Sequence, residues 1–375
     1  RSHRTSIMLW KALLLLSALL FGAQGEECLP GQDSTGKCHR IQGVINVMTV
    51  SGSAGSTNSS QTLKDIKRAI EVHDECGTSR CVDIIVLPEL FAFDPSAAPS
   101  GGFESNPHAG AEGVGGLSRK ACHSWAVQFQ AYVLCTIAEL DTGTDGQVEV
   151  YNTAVLMDRK GGLVGQYRKT FIEYGGGVEA MEGGFSLPVR EEGRLPVFQT
   201  DFGIVGVLTS FDVHFPALWQ ELDDLGVDLV LWPSAFDGQR LVRAHSVTHN
   251  YPIVLNGAGE CVEAGRQEVV ATCKRVSDGY KVAVTRLDTD QRIIFSNDPH
   301  NRGRKLTDQV LEEHKECLVG EVLNDVMVSV KSTCCKVSAR STLAAHGVRD
   351  VREFRAAIRR HSEVRSKRST LNSIA

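Results

Sequence analysis

The chain has 375 residues, 42% of them apolar and 23% charged, with a formal net charge of −5. That is an ordinary globular composition, with material for one large domain plus an appendage or for two domains. So mild a negative charge gives no basis for a nucleic-acid partner or for attraction to an anionic membrane.

Residues 12–22 are continuously apolar, preceded by Arg4 and Lys11 and followed by Ala23-Gln24-Gly25. A basic flank, a short apolar run and a small-x-small site read as a secretory signal peptide over 1–25, so the protein is expected to be secreted. The run is too short to span a bilayer. All eleven cysteines lie beyond it, which suits an oxidising compartment. Cys28/Cys38 and Cys76/Cys81 are close enough for local bridges, adjacent Cys334 and Cys335 need partners elsewhere, and the odd count leaves one thiol over. Asn58-Ser59-Ser60 is a glycosylation sequon in a polar loop.

From residue 41 the pattern alternates. Residues 41–50 read as a first strand. Residues 62–73 place Leu63, Ile66 and Ile70 on one face of an amphipathic helix. Residues 82–87 are nearly all apolar, as expected of a strand covered on both faces. Further strands are predicted at 132–138, 151–157, 203–208, 227–232 and 253–256, with helices at 117–130 and 217–225. The alternation predicts an α/β fold with helices on a mixed sheet. After about Val330 the pattern changes. From Arg340 onward nine Lys/Arg stand against three Asp/Glu, and Arg349, Arg352, Arg355, Arg359 and Arg360 recur with little apolar material opposite. Residues 339–375 therefore read as a solvated, disordered basic tail, the alternative being a patch for nucleic acid or an anionic membrane.

Three strings end β-type runs on reactive side chains: Val86-Leu87-Pro88-Glu89, Tyr167-Arg168-Lys169 and Leu208-Thr209-Ser210-Phe211-Asp212. Covalent amide hydrolysis needs a nucleophile, a base for its proton, and positive charge where the carbonyl oxygen becomes an oxyanion. Glu89 is the candidate base, Ser210 the nucleophile position, and Lys169 with the Phe211 backbone N–H the oxyanion donors. Trp232 and Phe236 either line the pocket or belong to the core. His73, His108, His123, His214, His245 and His249 show no zinc-ligand spacing, and Gly175-Gly176-Gly177 lacks the helix-opening Gly-Lys-Ser/Thr of a phosphate cradle.

Taken together these strings resemble the nitrilase (carbon–nitrogen hydrolase) superfamily, with its Pro-Glu, its Tyr-Arg-Lys and its Cys-x-Asp-x-x-Phe-Pro. The last reads here as Ser210-Phe211-Asp212-Val213-His214-Phe215-Pro216. Tyr151-Asn152-Thr153-Ala154 and the stretch from Gly226 to Phe236 fall in the matching order, and the resemblance covers about 41–306. It leans toward the secreted biotinidase/vanin branch, to whose strings Glu182-Gly183-Gly184-Phe185-Ser186-Leu187-Pro188 and Cys334-Cys335 are similar, which makes Glu182 a fourth, accessory polar residue. The resemblance implies an αββα four-layer sandwich over 41–306, with 307–338 a remnant of the branch's C-terminal domain. It further implies pairing of two copies through the sheet interface, small-molecule amides such as pantetheine or biotinyl-lysine as substrates, and no metal or organic cofactor.

One departure matters. The family nucleophile is Cys, whose thiol ionises near pH 8.5, whereas a Ser hydroxyl is a far weaker acid and a carboxylate with a pKa of about 4.3 is a poor base for it. Three readings follow: a homologue whose chemistry is impaired at Ser210, an amidase that works through Ser210, or a non-catalytic secreted binding or structural glycoprotein.

Overall fold

The computed structural model describes residues 43–52, 59–73, 82–92, 110–143, 146–172, 185–188, 193–236, 238–257, 261–264, 269–272, 274–277, 280–334 and 337–374. The expected signal peptide, Asn58, Gly175-Gly176-Gly177, Glu182, Cys28, Cys38, Cys76, Cys81 and Cys335 lie outside the described residues.

The first half runs β1 (Val44–Ser51), α1 (Ser59–His73), β2 (Ile84–Val86), α2 (Leu117–Phe129), β3 (Tyr132–Thr142), β4 (Val148–Met157) and β5 (Leu163–Arg168). The second runs β6 (Val197–Thr200), β7 (Gly203–Val207), a 3₁₀ turn (Ser210–His214), α3 (Pro216–Asp224), β8 (Leu229–Pro233), α4 (Gln239–His249), β9 (Ile253–Asn256), β10 (Cys261–Ala264), β11 (Val269–Thr272), β12 (Lys274–Ser277) and β13 (Tyr280–Asp288). Among the described residues these strands form two sheets, ordered β12-β13-β1-β2-β3-β4-β5 and β11-β10-β9-β8-β7-β6. β1, β2 and β3 are parallel neighbours in one, and β7, β8 and β9 in the other.

Alternation along each strand assigns the layers. Ile45, Val47, Ile84, Val86, Leu134, Ala154 and Leu156 share one core with Val205, Val207 and Leu255 of the second sheet. Their neighbours Met48, Val50, Ile85, Val133 and Val155 pack instead with Ile66 and Ile70 of α1 and Trp125 and Phe129 of α2. Trp219 and Leu222 of α3 and Val242 of α4 cover the second sheet. The order of layers is therefore helix, sheet, sheet, helix, the expected αββα sandwich. A polar tie joins the sheets at the carboxyl ends of β1 and β2, where Asn256 Nδ2 donates to the carbonyls of Val50 and Val86 at 2.7 and 2.8 Å.

Two expectations about the C-terminal third are corrected. β14 (Arg292–Phe295), α5 (Lys305–Glu313), β15 (Leu318–Asn324), β16 (Met327–Ser332) and α6 (Ala339–Ala345) form one small unit. Its sheet is ordered β14-β16-β15, and Ile294, Val310, Leu318, Val328, Val330 and Leu343 form its core. A boundary at 306 falls inside this unit, because Ile294 pairs with Val328. Residues 339–362 are also not a disordered tail: α6 and the first half of α7 (Val351–Ile374) lie there, with Ala339, Leu343, Val348 and Val351 buried. The arginines that look unpartnered in sequence find carboxylates, two on the main body and one within the small unit. Arg340 reaches Asp228 at 2.8 Å, Arg349 reaches Asp298 at 2.6 Å, and Arg352 reaches Asp223 at 2.6 Å and the Val227 carbonyl at 2.7 Å. Buried carboxylates demand cations, and on α7 the Arg352 pair holds the helix together with buried Val351 and with Phe354, which stacks on Phe295. Disulfides join Cys122 to Cys135 and Cys317 to Cys334.

Candidate active site

The three strings converge. Glu89 lies in the turn after β2, Lys169 directly follows β5, and Ser210 opens the 3₁₀ turn after β7. Glu89 Oε1 accepts hydrogen bonds from Lys169 Nζ at 3.0 Å and Asn152 Nδ2 at 2.9 Å, while Oε2 accepts one from the Ala235 N–H at 2.9 Å. The Lys169 and Glu89 side chains are 1% and 4% exposed. A pair this buried is tolerable only because further donors satisfy the carboxylate.

Strand alternation splits the Tyr167-Arg168-Lys169 string into two jobs. Arg168 turns away from the pair, donating to Glu139 at 2.9 Å and Asp141 at 2.6 Å, with its guanidinium 3.8 Å from the centroid of the Tyr151 ring. Glu139 is also held by Arg119 at 2.9 Å and Thr153 at 2.8 Å. This network anchors the end of β5. Tyr167 and Lys169 point the other way, Tyr167 to Asp212 at 2.7 Å and Lys169 to Glu89.

Ser210 is 3% exposed and adopts φ +48. A side-chain-bearing residue in this left-handed region costs roughly 1–2 kcal/mol and persists where its surroundings over-determine it. They do so here. Trp232 Nε1 donates to the Ser210 carbonyl at 3.1 Å, Trp219 Nε1 to the Asp212 carbonyl at 3.3 Å, and His245 Nε2 lies 2.9 Å from the Val213 carbonyl. Burial pushes His245 down to about 4, so the ring is neutral and its Nε2 carries the proton. The first N–H groups of a helical turn have no acceptor inside it, and the Phe211 N–H beside Ser210 is one of these.

Asp212 links two of the strings. Its carboxylate accepts from Tyr167 Oη, from the Thr209 N–H at 2.9 Å and from the Phe171 N–H at 3.0 Å. One side chain thereby fixes the segment carrying Lys169 relative to the turn carrying Ser210. Burial pushes Asp212 up to about 6, against the pull of these donors.

Trp232 is fully buried and serves as core and as the pin on Ser210, not as a pocket wall. Phe236 is half-buried, its ring edge-on to Trp232 at 5.5 Å and stacked with exposed His214 at 6.2 Å. Sequence reasoning gave no role to Asn152 or the Ala235 N–H, which complete the shell around Glu89. Asn152 did leave a signal, as a polar side chain in phase with Ala154 and Leu156 on the face that meets the second sheet. The Ala235 amide left none. Among the described residues, the His and carboxylate groups close enough to share a cation are Glu313, His314 and His346, outside this site.

A family profile described as carbon-nitrogen hydrolase matches residues 49–273. Similar curated proteins include deaminated glutathione amidase of Rattus norvegicus, 33% identical over 91 residues, which are 24% of this chain and 27% of that protein. Pantetheinase of Mus musculus is 35% identical over 104 residues, 27% of this chain and 18% of that protein. The chain thus aligns with less than a third of the length of these relatives. Among solved structures, an amidase from Nesterenkonia sp. aligns with a TM-score of 0.49 at 19% identity, over 66% of this chain and 91% of that one.

Proposed function

Because the chain belongs to the carbon–nitrogen hydrolase family, we propose that it is a secreted homologue of the family's small-amide hydrolases whose chemical step is impaired at Ser210. The observation that carries this reading is the buried Lys169–Glu89 pair, with three donors on its carboxylate, on a fold that also holds Ser210 in a left-handed turn. In the working reaction a nucleophile at position 210 attacks the amide carbonyl carbon. Lys169 and the Phe211 N–H take up the charge on the oxygen. Glu89 receives the nucleophile's proton and passes it to the departing amine as the C–N bond breaks. Water, deprotonated by Glu89, then hydrolyses the acyl intermediate.

With Ser210 the first step stalls. A carboxylate such as Glu89 is far too weak a base for an alcohol, whose proton is held much more tightly than a thiol's. Binding and oxyanion stabilisation survive without the nucleophile, and they leave only residual catalysis. The likeness to pantetheinase and deaminated glutathione amidase supports linear amides of small acids, pantetheine and biotinyl-lysine among them, as the compounds the pocket accepts. Export, glycosylation at Asn58, an accessory role for Glu182 and pairing of two copies through the sheets belong to the same proposal.

The test is turnover of pantetheine and biotinyl-lysine by the natural chain and by Ser210→Cys. Release by the variant roughly a thousandfold faster supports the proposal. Comparable release by both makes the protein a serine amidase. No release by either, with no ligand-induced rise in melting temperature, makes it a non-catalytic glycoprotein.

A further inference from the structure

The small C-terminal unit carries a second constellation, independent of the reading above. Glu313 ends α5, His314 is that helix's C-terminal cap, and His346 caps the C-terminus of α6. One side-chain donor atom from each lies within 4.8 Å of the other two.

The donors are oriented from outside. His346 Nδ1 lies 2.9 Å from the Thr342 carbonyl, which can only accept, so Nδ1 carries a proton. In the neutral ring Nε2 then turns a lone pair toward Glu313 Oε2, 3.1 Å away. Two lone pairs at that distance are satisfied by a second ring proton or by a cation held between them. Gln309 Nε2 donates to the other carboxylate oxygen at 2.9 Å, fixing the Glu313 side chain. Backbone and side-chain partners of this kind behind a ligand are what orient histidine and carboxylate around a metal.

One of the donor separations already suits a small cation. Tetrahedral zinc with bonds of about 2.0–2.1 Å places neighbouring donors about 3.3 Å apart, close to the 3.1 Å found between His346 and Glu313. The His314 ring stands edge-on to that of His346 at 5.2 Å between centroids, within reach by side-chain rotation. Two helix C-termini, each carrying partial negative charge, meet at the cluster. Beside it a surface pocket of about 320 Å³, lined by His314, Ser338, Ser341, Thr342, Ala345 and His346, leaves room for a fourth ligand. Two imidazoles and one carboxylate favour a borderline transition cation over calcium or magnesium, which take oxygen ligands.

We propose that Glu313, His314 and His346 bind one zinc ion, with water in the fourth position, tying α5 to α6. The test uses the full-length protein stripped with a chelator. Zinc is titrated by calorimetry and cobalt by its visible spectrum, on the natural chain, His346→Ala and Glu313→Gln. One zinc per chain is expected, with four-coordinate cobalt bands and a zinc-dependent rise in melting temperature. Each variant should weaken binding at least tenfold. The near-isosteric Glu313→Gln should melt like the natural chain in chelator, which separates loss of a ligand from loss of fold. No uptake means that the cluster is an imidazolium–carboxylate ion pair and overturns the proposal. Uptake unchanged in both variants, as zinc on cysteine thiols would give, overturns it equally.

Discussion

Lys169→Met tests the geometry on which every role at the site depends. The substitution keeps the length of the side chain and removes its charge, leaving the Glu89 carboxylate buried with the Asn152 and Ala235 donors alone. Breaking a buried ion pair by deleting one partner costs about 3–5 kcal/mol. Two of the three donors survive, so the expected loss is at the lower end, about 3 kcal/mol. Glu89→Gln alone should also destabilise, by about 2 kcal/mol, because its amide group must present N–H to a donor on one side. In the double variant the charge is gone from both sides. Its loss should fall short of the sum of the two single losses by at least about 1.5 kcal/mol, the coupling typical of residues in direct contact. The assay is urea unfolding of the four proteins with disulfides intact, read by tryptophan fluorescence. Additive losses, to within about 0.5 kcal/mol, would mean that Lys169 and Glu89 do not share one buried contact, and the site as described would be wrong.

Other consequences can be checked by the same assay. Ser210→Gly should be more stable than Ser210→Ala by about 1 kcal/mol, since only glycine adopts φ +48 without strain; equal midpoints would remove the argument that the turn is strained. Burial raises Asp212 to about 6 from an ordinary 3.8. Between these values the folded chain holds a proton that the unfolded chain has released, so this group's contribution is full below about pH 4 and is lost as pH rises through about 6, by up to about 3 kcal/mol. In Asp212→Asn that share of the pH dependence should vanish, and parallel curves for the two proteins between about pH 4 and pH 7 would refute it. Arg352→Ala should cost about 3 kcal/mol by stripping the buried Asp223 carboxylate of its guanidinium, and should open α7 to proteolysis before the main body; unchanged cleavage would mean the helix is not docked by charge. Replacing both Cys317 and Cys334 by Ser releases a link across 17 residues, an expected loss of about 3 kcal/mol.

Several features were legible because they are local. The apolar runs that became β1, β2, β7 and β8 are near-continuous because both of their faces are covered. The period of Leu63, Ile66 and Ile70 forecast α1, and the helix expected at 217–225 appears as α3 (Pro216–Asp224). Glu89, Lys169 and Ser210 were visible because each closes a β-type run with a reactive group, and the order of the three strings carried the fold with it.

What the tertiary structure alone decided is everything that depends on a partner distant in the chain. The docking of α7 is the clearest case: Arg352 and Arg359 read as part of a solvated row because the carboxylates they neutralise, Asp223 and Asp224, lie well over a hundred residues earlier. Arg168 and Lys169 are adjacent in sequence, yet only the pairing of β4 with β5 gives one to the Glu139 network and the other to Glu89. Asp212 was part of a string but had no role until folding brought Tyr167, Thr209 and Phe171 around it. Periodicity and turn chemistry act over a few residues and are written in the order of the chain. The satisfaction of buried charge is a property of the packed interior, and there only the folded chain determines which donor meets which acceptor.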